Sequence, residues 1–143
     1  MQVQQFQVAI KAFVLGEAGL LLVRESDGER LWELPGGRID VGEEELPPAA
    51  VLLRELREEL GPAFECEIGR PVAAWTRPPN PPVRNPPVFL LGYVCRYRAG
   101  EIQLSPEHVE FMWASAAQAR ELDLAPGYEP ALAEFWRLGL SGA

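Results

Sequence analysis

The residues best suited to chemistry are three glutamates, Glu55, Glu58 and Glu59, spaced i, i+3 and i+4 in one segment. On a helix turning roughly 100° per residue they occupy one narrow arc. That arc lies beside an apolar stripe made by Ala49, Leu52, Leu53, Leu56 and Leu60. Like charges at the edge of a buried face repel one another, and partial desolvation opposes their ionisation. A hard divalent cation with oxygen ligands removes both penalties. Arg54, four residues before Glu58, can pair with it. Taken alone, such a cluster reads more readily as a solvated charged face.

What precedes the helix changes that balance. Pro35-Gly36-Gly37 lets backbone approach closely, with no side chain in the way. From Asp40 to Glu59 the acids are Asp40, Glu43, Glu44, Glu45, Glu55, Glu58 and Glu59, against only Arg54 and Arg57. This stretch therefore supplies −5 of the chain's net charge of −8. A glycine loop that delivers carboxylates toward an acidic helix is a cage for two or more Mg²⁺ ions. Mg²⁺ keeps waters and bridges phosphate oxygens, which points to phosphoryl or pyrophosphoryl chemistry.

Gly37-x5-Glu43 followed by Arg54-Glu55-Leu56-Arg57-Glu58-Glu59-Leu60-Gly61 resembles the Nudix box, and Trp32-Glu33-Leu34-Pro35-Gly36-Gly37 resembles the usual approach to it. The box reads Gly-x5-Glu-x7-Arg-Glu-U-x-Glu-Glu-x-Gly-U, with U aliphatic. Two departures stand out. Ten residues separate Glu43 from Arg54, three more than the pattern has, and Pro62 takes the last aliphatic place. The extra residues fall between loop and helix, so Glu43, Glu44 and Glu45 all remain candidates for the loop glutamate. The resemblance implies that Glu55, Glu58 and Glu59 ligate Mg²⁺ or Mn²⁺, helped by the Gly36 carbonyl. Arg54 would orient a glutamate, and Glu43 would act nearby. The implied reaction is attack of a metal-activated water on a nucleoside diphosphate linked to another group X. X spans the ADP-ribose, nucleotide-sugar, dinucleoside-polyphosphate and nucleoside-triphosphate classes. A Nudix-fold module that binds a nucleotide or partner without hydrolysis is the rival reading. The general base is Glu55, Glu107 or Glu110, with Glu110 preferred.

These groups must be held by a sheet and its helices. Phe6, Val8, Ile10, Ala12 and Val14 alternate as in a strand with one buried face. A turn at residues 16–19 leads into a returning strand at 20–24, and Trp32-Glu33-Leu34 is a short extended piece halted by Pro35-Gly36-Gly37. Pro47 and Pro48 suit the first turn of the acidic helix. Gly61 offers a left-handed cap and Pro62 prevents continuation. Strands are expected at residues 64–68, 72–76, 88–98, 101–104 and 109–113, the third and fourth paired across Ala99-Gly100. Ser115 caps a helix to about residue 122, and Pro130 opens a last one ending near Gly139. The order is α+β, read as one domain over residues 1–143. The expected architecture is a Nudix-type helix–sheet–helix sandwich with a mixed β-sheet.

Substrate choice should lie outside the box. Residues 77–87 hold six prolines with Arg77 and Arg84, flanked by Trp75 and Phe89. An aromatic could stack on a base while an arginine takes a phosphate; a stiff connector is the competing reading. His108 reads as a structural or surface histidine, and Tyr128, after Ala125-Pro126-Gly127, as a core or surface tyrosine more readily than as one facing the cleft.

Composition excludes much else. A pI near 4.7 opposes non-specific binding to nucleic acid or to anionic membranes. A lone histidine forbids a multi-histidine metal site. Cys66 and Cys95 read as isolated thiols of a reducing compartment. With no basic leader, no apolar run of membrane-spanning length and an ordinary charged fraction, a cytoplasmic location is expected. The partner expected is a small nucleotide diphosphate, and the sequence is compatible with a homodimer.

Overall fold

β1 (Gln7–Gly16) is the strand on which the sheet is organised in the computed structural model, which describes residues 1–78 and 86–140. It turns back through residues 16–19 into β2 (Gly19–Glu25), and it also pairs antiparallel with β4 (Gly36–Arg38). Along its whole length it pairs parallel with β6 (Val88–Ala99). β3 (Trp32–Glu33) and β7 (His108–Ala114) join β2, while β5 (Glu65–Arg77) closes the far side against β6. The order is β3-β2-β1-β6-β5 with β4 on β1 and β7 on β2, a mixed sheet.

Helices cover both faces. α1 (Pro48–Leu60) lays Val51, Leu52, Leu56 and Leu60 on Ile10, Ala12, Val14, Leu21 and Val23. α3 (Tyr128–Arg137) covers the opposite face, where Phe13 stacks on Phe135 at 4.3 Å between ring centroids. This two-sided cover corrects the one-faced reading of β1: Ala9 to Leu15 are all buried, because a central strand between two helical layers has no solvent side. Leu56→Ala is expected to cost ~2–5 kcal/mol by leaving a cavity beneath α1, measured as a lowered urea midpoint; Leu56 is 1% exposed.

Other sequence expectations also shift. The two predicted strands at 64–68 and 72–76 are one strand, β5, whose pairing with β6 slips between Ile68, Pro71 and Ala73. The Pro71 nitrogen has no hydrogen to give, so the ladder bulges without ending. Residues 101–104 form no strand. The Gln103 amide donates to the Leu60 carbonyl at 2.9 Å and the Ser105 amide to Glu59 at 3.1 Å, so this segment satisfies the last carbonyls of α1. Gly61 has φ 91° and ψ 164°, positive but outside the left-handed helical region, because the chain leaves extended along that segment. Gly36 and Gly37, read as a strand stop, are themselves strand residues in β4. α2 (Ala116–Arg120) begins at Ser115 with a reciprocal Ser115–Gln118 capping box, and α3 opens at Tyr128, two residues before Pro130.

Candidate active site

β4 and α1 meet at the glycine pair. The Gly36 amide donates to Glu59 Oε2 at 2.8 Å, and Glu59 is 4% exposed on the buried side of α1. Burial pushes its carboxyl up to about 7, although Lys11 and the Gly36 N–H favour the charge. Glu55, one turn earlier, lies over Gly37 so closely that a Cβ there would fall 2.4 Å from its carboxyl carbon. Burial raises the Glu55 carboxyl as well.

Arg54 ties the outer acids together. Its Nε and Nη2 each donate to one Glu43 oxygen at 2.6 Å, a two-pronged pair. Its Nη1 reaches Glu55 at 2.9 Å and Glu58 at 3.2 Å. The Glu43 carboxyl is held below its ordinary range by the Arg54 hydrogen bonds. The three extra residues are thus looped out: Glu43 meets Arg54 while Glu44 and Glu45 stay exposed. Glu58 is on the open side, with 61% of its side chain exposed.

Behind Gly36 lies a buried network that the sequence reading missed. Lys11, on β1, donates to the carbonyls of Leu34 at 3.2 Å and Gly36 at 3.1 Å, and to Glu33 Oε1 at 3.3 Å. The other Glu33 oxygen meets His108 Nε2 at 3.0 Å, while His108 Nδ1 is buried with no partner among the described residues. Glu59, Glu107 and His108 bring ligand-capable atoms within 4.8 Å of one another. The one trace of Lys11 in the sequence is a charge inside the apolar run from Val8 to Leu15, which does not say by itself which way the side chain points. His108 is therefore no surface residue; it buttresses Glu33 beside the acidic cluster.

Burial alone would raise the Glu33 carboxyl, but Lys11 and His108 outweigh it and bring it down to about 2. A carboxyl with a folded pKa below its unfolded one contributes stability that is complete above about 4.5 and lost as pH falls toward 2. The contribution is on the order of 3 kcal/mol. Thermal unfolding without added metal should show that loss between pH 4.5 and 2.5, and Glu33→Gln should flatten the profile across this interval.

A cleft of about 320 Å³ runs past these groups, lined by Lys11, Glu33, Gly36, Gly37, Glu55, Glu59 and Glu107 together with Arg77, Glu25 and Tyr128. Ala9, Val88 and Leu90 are its apolar lining. A larger hollow of about 840 Å³ lies elsewhere, between α2 and α3. Glu110 does not line the cleft. It stands opposite Arg24 on β2 and pairs with it at 3.4 Å, half exposed, whereas Glu107 faces the acids. Trp75 is not available for stacking: its ring is edge-on to both Phe13 and Tyr128 in the core, 8% exposed. Tyr128 meets both of its readings: it is fully buried in the core and it lines the cleft, with its hydroxyl unpartnered among the described residues. Arg84 lies outside the described residues. The Gly36 carbonyl, implied by the resemblance to be a metal ligand, faces the Lys11 ammonium.

A mixed sheet thus lies between helices, with an Arg-Glu-rich helix laid across a Gly-Gly strand. The model of the NUDIX domain matches residues 5–135, and the chain belongs to that family. It is similar to the CTP pyrophosphohydrolase of Escherichia coli (strain K12), at 30% identity over 92% of this chain and 93% of that protein. It is also similar to the asymmetrical bis(5'-nucleosyl)-tetraphosphatase of Mus musculus, at 35% identity over 71% of this chain and 67% of that one. Among solved structures, the E. coli ORF135 protein superposes with a TM-score of 0.77 at 26% identity, over 95% of this chain and 92% of its own. The MutT protein from Methanosarcina mazei Go1, at 21% identity, shares the fold with a TM-score of 0.77 over 97% and 99% of the two chains. The chain is accordingly a hydrolase acting on phosphoric anhydride bonds, from a family that generally uses divalent metals. No helix among the described residues is long and apolar enough to cross a membrane.

Proposed function

We propose that the chain is a cytoplasmic, Mg²⁺- or Mn²⁺-dependent hydrolase of a nucleoside diphosphate linked to another group X. The observation that carries this reading is the convergence of Glu55 and Glu59 over the Gly36-Gly37 strand, with Glu107 facing them across one cleft. This oxygen-rich, partly buried donor set fits a hard divalent ion, which relieves carboxyls that burial raises. Glu55 and Glu59 would hold such ions, with Glu58 on the solvent side and Glu107 left free to act on the water. Bound there, a divalent ion supplies a more acidic water and offsets the charge of the leaving phosphate.

The chain's own groups do the rest. Arg54 fixes Glu43, Glu55 and Glu58 in one network, so the cluster is set before substrate arrives. Arg77, also lining the cleft, suits a phosphate or a base carbonyl, and the Tyr128 hydroxyl is a spare hydrogen-bonding group for a base or sugar. We place the general base at Glu107, not Glu110, since only Glu107 lines the cleft. Loss of a general base costs ~10²–10⁴-fold in rate. Glu107→Gln should fall in that range, while Glu110→Gln should stay within a few-fold of wild type in kcat. The reverse pattern sinks the assignment.

X is proposed to belong to the nucleoside-triphosphate or dinucleoside-polyphosphate class. The relative that covers nearly the whole chain is named for CTP, and the mouse relative for a bis-nucleosyl tetraphosphate. A panel of CTP and the other triphosphates, diadenosine tetraphosphate, ADP-ribose and nucleotide sugars, run with and without Mg²⁺ and with products identified, tests activity and substrate together. Absence of turnover on every member counts against the reading.

A further inference from the structure

Of the 13 basic side chains, 12 are arginine and one is lysine. That one, Lys11, is 6% exposed at the cleft, beside the acidic cluster. An arginine is a flat fork of five donors, whereas an ammonium is a compact point charge with three. The cage around Lys11 offers three oxygens, from Glu33, Leu34 and Gly36, at 3.1–3.3 Å. Two carbonyls and a carboxylate are also the hard donors that a divalent ion takes. The backbone of Gly36 stands between the two charges, its oxygen accepting from Lys11 and its amide donating to Glu59.

We propose that the Lys11 ammonium is a tethered cation that takes the place of one divalent ion at the Gly36 carbonyl, so the chain binds one divalent ion fewer than its donor set would otherwise hold. This rests on the metal-site reading above. A carbonyl oxygen has a second lone pair, but another cation on it would sit against the ammonium, and repulsion between buried charges is poorly screened. A lysine serving only to neutralise Glu33 for packing would leave the metal count untouched, so the two roles separate cleanly.

The test is a titration of metal-free protein with Mn²⁺, reading free Mn²⁺ by electron paramagnetic resonance. Lys11→Met is expected to bind one Mn²⁺ more per chain than wild type, and Lys11→Ala, which leaves more room, the same. An equal or lower number in a folded variant overturns the proposal. If neither variant folds, the wild-type protein carries the test alone. Labelled with ¹⁵Nζ-lysine, it gives a single side-chain ammonium signal, because Lys11 is the only lysine. That signal is expected to persist, protected from exchange, when Mg²⁺ saturates the site. Its loss into rapid exchange on adding Mg²⁺ overturns the proposal. Wild-type protein that takes up no Mn²⁺ at all would instead overturn the metal reading of the site.

Discussion

Glu59→Gln is expected to lower turnover by about a thousandfold or more while leaving the protein folded. Partners that merely orient metal ligands are typically worth 10–100-fold, so removing a ligand's charge costs more. The amide oxygen can still accept the Gly36 N–H, which Glu59 Oε2 now takes at 2.8 Å. Glu59 is a nearly fully buried carboxylate whose pKa is raised to about 7 by burial, so a neutral isostere is easier to bury without metal. The variant should therefore match or exceed wild-type thermal stability in a chelator, and gain much less stability from Mg²⁺. Steady-state kinetics together with melting curves in Mg²⁺ and in chelator separate this from simple unfolding. Near-normal turnover by Glu59→Gln sinks the metal-site reading.

Gly36→Ala and Gly37→Ala should fail in opposite ways, although one methyl is added in each. Gly36 has φ +132°, and a Cβ there would meet the Ile10 carbonyl oxygen at 2.2 Å. Both obstacles are backbone, in the centre of the sheet. The φ strain alone is worth about 1–3 kcal/mol, and the clash adds to it, so Gly36→Ala is expected to lower the melting temperature sharply or to prevent folding. At Gly37 the nearest atoms a Cβ meets are those of the Glu55 carboxyl, at 2.4 Å, the far end of a side chain that can swing aside. Gly37→Ala should thus fold with near-normal stability but lose roughly 10²-fold in kcat, the scale expected when a reacting geometry is displaced by about 1 Å. Circular dichroism melts and kcat measured on the same preparations decide between these outcomes. A Gly37→Ala enzyme with full activity would show that Glu55 need not lie over the glycine strand.

The acidic helix was legible because its determinants are local. The spacing of Glu55, Glu58 and Glu59 against Leu52, Leu56 and Leu60 sets one face irrespective of what packs there, and α1 spans the residues that spacing predicts. Arg54 and Glu43 were legible as a motif, but the arginine's choice among Glu43, Glu44 and Glu45 depended on how the extra residues fold. Glu107 could not be separated from Glu110 by sequence. The choice turns on the register of β7 against β2, which sets Glu110 opposite Arg24. Lys11 and Glu33 were hidden by a different cause. A period-two reading of β1 assigns alternate residues to solvent, and only the packing of α3 on the second face shows that Lys11 points inward. The segment at 101–104 has strand-like residues, but Gln103 and the following Ser105 spend their amides on the end of α1, a long-range use that no local pattern announces.

The use of arginine at every Lys-or-Arg position but 11 also governs how the chain can be modified. Acetyl transfer, ubiquitin conjugation and N-hydroxysuccinimide esters all require a nucleophilic side-chain amine that reagents can reach. Here the sole such amine is enclosed and held as a cation by its oxygen cage, its pKa raised by Glu33 despite burial. Arginine guanidinium groups do not substitute, since they stay protonated. The folded protein is therefore inert toward amine-directed side-chain acylation, and side-chain acylation at Lys11 would report that the β1 interior has opened.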